Sequence, residues 1–191
     1  MQELKDRIMA EGRVLPGNII KVDGFLNHRI DTELMTHIAD EFGRHFNMDE
    51  VTMILTAEAS GIALSAIVAQ HFHKPMLFAK KAKSDNIEGG LYKSDIYSYT
   101  YKKKVTLLVS KEWLSADDKV LIIDDFMANG EAMRGLCDIV TAAGAELVGI
   151  GCAVEKGFQG GGDRLRAAGF NLKSLAIIDS AEPGHIVFRE E

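Results

Sequence analysis

Hydrophobic residues along the chain follow two alternating patterns. Segments such as 51–57 and 118–125 contain apolar residues in succession without polar alternation, which is typical of strands that are buried on both faces of a sheet. Other segments carry apolar residues at helical spacing, and one of them places Leu34 and Ile38 after Asp31, a residue suited to cap a helix. Because the two patterns alternate, the chain is predicted to form an α/β fold, a mostly parallel sheet flanked by helices.

The same patterns predict the order of the elements. Strands are predicted at 51–57, 75–81, 104–110, 118–125, 145–155 and 172–179. Helices are predicted around Leu4 and Ile8, after Asp31, across 62–72, from about 130 to 143 before Gly144, and within 160–170. Residues 82–104 are largely polar and predict a loop. A length of 191 residues fits one domain, so residues 1–191 are predicted to form a single domain.

Three loops are predicted to meet at one edge of this sheet. Parallel strands end on the same side, and ligands of such sheets bind beyond those ends. The loops that follow predicted strands there are 58–61, 124–132 and 155–162. A functional site is therefore expected where these three loops meet.

The charge of the chain narrows the choice of ligand. The formal net charge is −6, which disfavours nucleic acid, because a phosphate lattice requires a basic face. Lysines nevertheless cluster in 80–84 and 101–105, which favours a small anionic substrate. We expect no nucleic-acid partner.

Three further features indicate a cytoplasmic protein. No apolar stretch approaches the roughly 18 to 20 residues that a membrane span needs. The N-terminal segment mixes charged and apolar residues and lacks the apolar core of a secretory signal. Cys137 and Cys152 both lie in apolar runs and are expected to be reduced and buried.

The segment "VLIIDDFMANGEA", residues 120–132, carries the clearest candidate chemistry. Asp124 and Asp125 follow a buried strand and can accept hydrogen bonds from vicinal hydroxyls of a sugar. The small residues at 128–130 would let a phosphate approach the free N–H groups at the start of the next helix. Together these features suit a ribose 5-phosphate, although an ordinary structural loop stays open. A nucleotide hydrolase would need the phosphate loop G-x-x-x-x-G-K-[ST], which the sequence lacks.

This segment resembles the phosphoribosyl-diphosphate signature of the type I phosphoribosyltransferases. Where that family usually has threonines, this chain has Asn129 and Ala132, which leaves the backbone to hold the phosphate. The variant "ANGEA" is similar to the branch of the family that acts on xanthine. Three other stretches share this similarity: "KVDGFLNHRID", "LTAEASGIA" and "EKGFQ".

The resemblance implies a fold, a reaction and a set of site residues. The fold would include a small base-binding hood and a mobile loop over 82–104. The reaction would transfer the 5-phosphoribosyl group of phosphoribosyl diphosphate to xanthine, with Mg²⁺ held mainly through the substrate and no metal ligands from the protein. A homodimer is implied as well. The implied residues are Asp124 and Asp125 for catalysis, Ala128, Asn129, Gly130, Glu131 and Ala132 for the donor, Glu58, Ala59, Ser60 and Gly61 for pyrophosphate, and Ile20, Asn27 and Lys156 for the base.

The choice of base and the assignment as an enzyme leave two alternatives open. Lys156 offers only donors, which suits an exocyclic oxygen and disfavours the 6-amino group of adenine, yet guanine and hypoxanthine also carry that oxygen. The lysine is also compatible with a plain surface position at a strand end. The second alternative is a non-enzymatic regulator of the same fold that senses the donor. It would carry a DNA-binding region or a basic face, whereas this chain is acidic.

Overall fold

A computed structural model describes residues 1–81, 90–98 and 103–190. Its strands are β1 (Arg13–Leu15), β2 (Ile19–Lys21), β3 (Met53–Ala57), β4 (Met76–Ala79), β5 (Leu91–Ser98), β6 (Lys103–Ser110), β7 (Lys119–Met127), β8 (Glu146–Lys156), β9 (Leu172–Glu182) and β10 (His185–Phe188). Its helices are α1 (Gln2–Glu11), α2 (Thr32–His45), α3 (Gly61–His71), α4 (Glu131–Ala143) and α5 (Gly161–Ala167), with a π-helical turn at Asp23–Asn27 and a 3₁₀ turn at Gly157–Gln159.

The central sheet is mostly parallel, which confirms the predicted α/β fold. Among the described residues it has six strands, in the order β10-β9-β8-β7-β3-β4. Neighbouring strands from β9 to β4 run parallel, and β10 pairs antiparallel with β9 at one edge. Residues 120–125 of β7 are all buried, as expected of a strand that is covered on both faces.

Helices cover both faces of β7. Leu121 and Ile123 belong to a hydrophobic cluster that includes residues of α2 and α3, whereas Val120 and Ile122 belong to a second cluster with residues of α4. Successive side chains of a strand point to opposite faces, so these two clusters lie on opposite sides of the sheet. Each fully buried aliphatic side chain stabilises the fold by about 1.5–3 kcal/mol. The strand that carries the two acids is therefore firmly held.

Two helix ends form as the sequence predicts. The Asp31 side chain accepts a hydrogen bond from the backbone N–H of Leu34 at 3.1 Å and caps α2, a contact that contributes about 1 kcal/mol. Helix α4 ends at Gly144, whose φ of 71° is left-handed. Glycine adopts this conformation without a steric penalty, which explains why the helix stops there.

The predicted loop over 82–104 is wrong for part of its length. Residues 91–98 form β5, which pairs antiparallel with β6. The inner face of this hairpin, which includes Ser94 and Ile96, is buried. Exposed and buried side chains do alternate along β5. The buried positions include the polar Ser94, however, so the sequence shows no alternation of apolar and polar residues.

Strand β6 belongs to this hairpin rather than to the central sheet. A bridge between Lys80 and Leu108 connects it to the end of β4. Residues 82–89 and 99–102, the rest of the predicted loop, lie outside the described residues. The mobile loop therefore stays a prediction for those residues.

A second hairpin, near the N-terminus, was not predicted. Strands β1 and β2 pair antiparallel around a turn in which Gly17 and Asn18 have φ values of 84° and 58°. Strands of three residues show too little alternation to be recognised in a sequence.

The cysteines and the helices agree with the remaining expectations. Cys137 and Cys152 are buried and free, as predicted. Burial raises the pKa of the Cys137 thiol to about 12, so the thiol stays protonated and unreactive at neutral pH. Among the described residues, no helix is long and apolar enough to span a membrane.

Candidate active site

The carboxyl ends of β3, β4, β7 and β8 enclose a cleft of about 290 Å³. All three loops predicted from the sequence contribute to its wall, through residues such as Glu58, Asp124 and Lys156. The volume is close to that of the smaller ligand pockets of proteins, about 300 Å³. The predicted meeting of the three loops is confirmed.

The turn between β7 and α4 forms one side of the cleft. Gly130 has a φ of 78°, and the helix begins at the next residue, so the first N–H groups of α4 lack helical partners. A neighbouring turn presses against it, because a Cβ on Gly161 would lie 2.3 Å from the carbonyl oxygen of Ala128. The guanidinium of Arg164 donates to the carbonyl oxygen of Asn129 at 3.0 Å. These contacts fix the turn from outside and leave its inner side to the cleft.

Glu131 and Ala132 continue this wall into the first turn of α4. The Glu131 carboxylate pairs with Arg134 at 3.3 Å and accepts from the backbone N–H of Tyr97 at 3.5 Å. Both Glu131 and Ala132 line the cleft. An acidic side chain in the first turn also suits the positive end of the helix dipole.

The two acids at the end of β7 have different surroundings. Asp124 is 7% exposed and lines the cleft, whereas Asp125 is 1% exposed and lies behind the wall. Asp125 accepts hydrogen bonds from the Ser60 hydroxyl at 2.8 Å and from the side-chain amide of Asn27 at 2.9 Å. One carboxylate thus joins predicted pyrophosphate and base residues that are distant in the chain.

Burial controls the protonation of the other acid. Burial and the negative charge of Asp125 raise the pKa of Asp124 well above its ordinary range. The side-chain hydroxyl oxygen of Thr56 is buried nearby and has no hydrogen-bond partner among the described residues. A Cβ on Gly61 would lie 2.1 Å from an Asp124 oxygen and 2.3 Å from that hydroxyl oxygen, so only glycine fits there. The cleft wall thus offers the Asp124 carboxyl to a polar ligand, and the Thr56 hydroxyl is buried close to that carboxyl.

The loop after β3 supplies the opposite side of the cleft. Glu58 and Ser60 line it, and Ala59 and Gly61 lie beside the wall that the described residues define. Glu58 accepts a short hydrogen bond from the backbone N–H of Lys81, which ties the loop to the end of β4. The Glu58–Ala59 peptide bond is cis.

The three residues predicted to contact a base lie in different settings. The Lys156 ammonium lies 5.4 Å from the centre of the Phe126 ring and donates to the carbonyl oxygen of Asn18 at 3.3 Å. Burial lowers its pKa. Asn27 reaches the site through Asp125. Ile20 is buried in the N-terminal hairpin, outside the described part of the cleft wall.

Seven residues of the described cleft wall were not among the predicted site residues: Ala57, Lys81, Ile96, Tyr97, Phe126, Met127 and Met133. Lys81 follows β4 and belongs to the lysine cluster at 80–84, which the sequence linked to an anionic substrate without assigning a role to any single lysine. Phe126 likewise follows the acids directly in the sequence. Ile96 and Tyr97 come from β5, and no signal could have found them while that segment was predicted to be a loop.

The arrangement offers oxygen ligands to a cation without forming a complete site. Among the described residues, no group of three or more His, Cys, Asp or Glu side chains is placed to hold a metal ion. The Asp124 carboxyl on the cleft wall nevertheless supplies oxygen atoms, the kind of ligand that Mg²⁺ prefers. Magnesium usually keeps several waters and binds through one or two carboxylates together with substrate phosphates. The donor set therefore fits magnesium that is shared with a phosphate ligand.

Comparison with solved structures identifies the fold. The chain matches an adenine phosphoribosyltransferase from Giardia lamblia, solved with 9-deazaadenine, with a TM-score of 0.77 and 22% identity over 91% of this chain and 96% of the other. It matches an adenine phosphoribosyltransferase from Trypanosoma brucei, solved with AMP, pyrophosphate and ribose 5-phosphate, with a TM-score of 0.72 and 23% identity over 91% and 79%. At these identities the likeness concerns the fold alone.

Comparison of sequences identifies the family. The model of the phosphoribosyl transferase domain matches residues 25–166. A xanthine phosphoribosyltransferase from Lachnoclostridium phytofermentans is 54% identical over 99% of this chain and 98% of its own length. Another from Bifidobacterium longum is 52% identical over 99% of this chain and 100% of its own length. The chain therefore belongs to the phosphoribosyl transferase family, and its resemblance to the xanthine branch of that family is confirmed.

Proposed function

We propose that this chain transfers the 5-phosphoribosyl group of 5-phospho-α-D-ribose 1-diphosphate to xanthine. The reaction releases pyrophosphate and forms xanthosine 5′-monophosphate, as purine salvage requires. The observation that carries the proposal is that Asp124, the turn before α4 and Lys156 line one cleft. The full-length relatives named xanthine phosphoribosyltransferase support the choice of base.

The turn at 128–132 binds the 5′-phosphate of the donor in this proposal. The first N–H groups of α4 and the positive end of its dipole suit a phosphate. Because Asn129 and Ala132 replace the family's usual threonines, the backbone supplies most of the contacts. Asp124 lies on the cleft wall beside this turn and accepts hydrogen bonds from the ribose hydroxyls.

The loop at 58–61 and Lys81 bind the diphosphate of the donor. The negative charge on the leaving pyrophosphate grows as the bond to ribose breaks, so donors and cations aimed at it stabilise the transition state. Backbone N–H groups of the loop and the Lys81 ammonium are suited to this role. Mg²⁺ would be held mainly by the substrate, with Asp124 as the acid on the cleft wall that could contact it, and would neutralise further charge on the diphosphate.

Lys156 and Asn27 recognise the base. The lysine donates three hydrogen bonds and accepts none, so it favours an oxygen on the purine over an amino group. Asn27 donates to Asp125 at 2.9 Å, which leaves its carbonyl oxygen free to accept from a ring N–H beside that oxygen. Ile20 supports the base side from within the N-terminal hairpin. An oxopurine presents the oxygen and the adjacent ring N–H that these two contacts require, whereas adenine presents an amino group and an unprotonated ring nitrogen at those positions.

The same proposal covers assembly and location. We expect a homodimer in the cytoplasm, supported by resemblance to a family whose members generally pair. Sedimentation velocity of the purified protein measures the mass in solution. A species of 42 kDa, twice the chain mass of 21.0 kDa, agrees with this expectation, and a monomer at enzymatic concentrations contradicts it.

Product analysis tests the proposed reaction. Purified protein is incubated with the donor, Mg²⁺ and xanthine, and both nucleotide and pyrophosphate are quantified. The proposal predicts equal amounts of xanthosine 5′-monophosphate and pyrophosphate, and no nucleotide when either substrate is omitted. Pyrophosphate without nucleotide would indicate hydrolysis, and folded protein that yields neither product would contradict the proposal.

A further inference from the structure

Both chain neighbours of Lys156 are held by charged side chains. The Glu155 carboxylate is fully buried and accepts from the Arg166 guanidinium at 2.7 and 3.1 Å and from the Ser174 hydroxyl. A Cβ on Gly162 would lie 2.1 Å from a Glu155 oxygen, so the start of α5 packs directly on this carboxylate. This first contact holds the end of β8 against α5 and β9.

A second set of ion pairs lies next to Gly157, the residue that follows Lys156 in the chain. The Arg189 guanidinium donates to Asp163 at 2.6 and 3.2 Å and to Asp179 at 2.8 and 3.0 Å. It therefore joins α5 to β9. The residue after Lys156 lies against this junction, because a Cβ on Gly157 would lie 2.4 Å from Asp179 Oδ1 and 3.1 Å from Arg189 Nη2. We call Asp163, Asp179 and Arg189 the C-terminal clamp.

The backbone near the clamp is aligned with the lysine. Lys156 pairs in register with Ile178, the residue before Asp179, and the backbone N–H of Arg189 donates to the carbonyl oxygen of Ile177 at 2.8 Å. A planar guanidinium that makes at least two hydrogen bonds to each of two carboxylates fixes their relative orientation as well as the distance between them. The clamp thereby fixes the backbone position from which the flexible Lys156 side chain extends. The matched family segment ends at residue 166, so Asp179 and Arg189 lie beyond it.

We infer that Arg189 is a positioning residue for base recognition, acting through the C-terminal clamp on Lys156. The inference rests on the proposed function, in which Lys156 contacts the purine. Shifts of about 1 Å in a binding group can lower reaction rates about 100-fold, so a loosened turn weakens the contact with the base. The residues proposed for the diphosphate follow β3 and β4, which lie on the other side of β7 from β8 and β9.

Kinetics with each substrate varied separately tests this inference. Arg189→Gln is expected to raise the KM for xanthine about tenfold and to change the KM for the donor less than about twofold. Arg164→Gln is the matched variant, because Arg164 lies on the same helix but bonds to Asn129 in the proposed phosphate turn. It is expected to raise the KM for the donor instead. Arg189→Lys keeps the positive charge but loses the paired hydrogen bonds of the guanidinium, so it should give an intermediate KM for xanthine.

The outcomes separate this inference from the proposed function. Folded Arg189→Gln with a wild-type KM for xanthine, or with equal increases in both KM values, would overturn the inference. Should this variant fail to fold, Asp179→Asn removes the same contact from the side of β9 and carries the same expectation. Wild-type protein that forms no xanthosine 5′-monophosphate would overturn the proposed function before any variant is compared.

Discussion

Replacing Asp125 with alanine removes the carboxylate that joins the two halves of the cleft. That carboxylate accepts from the Ser60 hydroxyl at 2.8 Å and from the Asn27 amide at 2.9 Å. Without this carboxylate, the Ser60 hydroxyl and the Asn27 amide both lose their charged hydrogen-bond partner. The loop after β3 and the Asn27 side chain can then both move out of their positions at the site. We expect turnover to fall severely while the protein stays folded.

The expected magnitude follows from the two hydrogen bonds. A hydrogen bond to a charged group contributes about 1.5–3 kcal/mol, so losing two corresponds to roughly 10²- to 10⁴-fold in kcat/KM. Stability should fall much less. Ser60 is exposed and Asn27 half-buried, so water can replace the lost acceptor. The change also removes the negative charge of Asp125, which repels a charge on the buried Asp124. Relief of this repulsion offsets part of the lost stability.

Asp125→Asn gives a graded comparison. An asparagine can accept from Asn27 with its oxygen and donate to the Ser60 hydroxyl with its amide, so both contacts persist without the charge. Neutral hydrogen bonds are weaker by about 1 kcal/mol each, which predicts a loss of roughly 30-fold in kcat/KM. The expected order of activity is wild type, asparagine, alanine.

The assay is initial-rate kinetics with xanthine and donor, together with thermal unfolding of each variant. Asp118→Ala is the matched control, because the Asp118 carboxylate also accepts hydrogen bonds from two residues, Ser115 and Thr52, but at the opposite end of β7. It should alter stability without altering kcat/KM. Near-normal activity of Asp125→Ala, or an equal loss in the control, would refute the assigned role of Asp125.

Three further predictions concern neighbouring groups. Lys156→Met should raise the KM for xanthine about tenfold or more and leave that for the donor unchanged; equal losses with both substrates in steady-state kinetics would contradict base recognition. Gly161→Ala should raise the KM for the donor and destabilise the fold by about 1–3 kcal/mol, because its Cβ would lie 2.3 Å from the Ala128 carbonyl oxygen. Gly24→Ala, with open space around it, should do neither in the same assays. The folded pKa of Asp124 lies above its ordinary value of 3.8, so the folded state binds the extra proton and the free energy of unfolding should fall as pH rises from about 4 through that pKa. Urea unfolding at several pH values measures this slope, and the Asp125→Asn variant should flatten it; an unchanged slope would contradict the coupling.

The sequence predicts those parts of the fold whose signals are local. The run from 118 to 125 contains both the apolar strand and the two acids, so strand, burial and candidate chemistry can be inferred together. Helix α2 is predictable for the same reason, since Asp31 and the spacing after it lie within one short segment. The short N-terminal hairpin and β5 are not predictable in this way, because their alternation is too short or too polar.

Contacts between distant residues explain what the sequence leaves out of the site. Asp125 meets Asn27 and Ser60 across separations of 98 and 65 residues, and no spacing in the sequence indicates those pairs. The different exposures of Asp124 and Asp125 also arise only once β3 and β7 are adjacent. In the sequence, Arg189 is likewise an ordinary charged residue near the C-terminus. Its role becomes visible only in the fold, where α5 and β9 bring Asp163 and Asp179 together around its guanidinium.

Competition among bases tests the central claim most directly. Equal concentrations of xanthine, guanine, hypoxanthine and adenine are incubated together with limiting donor, Mg²⁺ and protein, and the nucleotide products are separated and quantified. The account predicts that xanthosine 5′-monophosphate dominates and that the adenine nucleotide is the least abundant product. A predominance of the adenine nucleotide, or equal formation of all four, would contradict the roles given to Lys156 and Asn27.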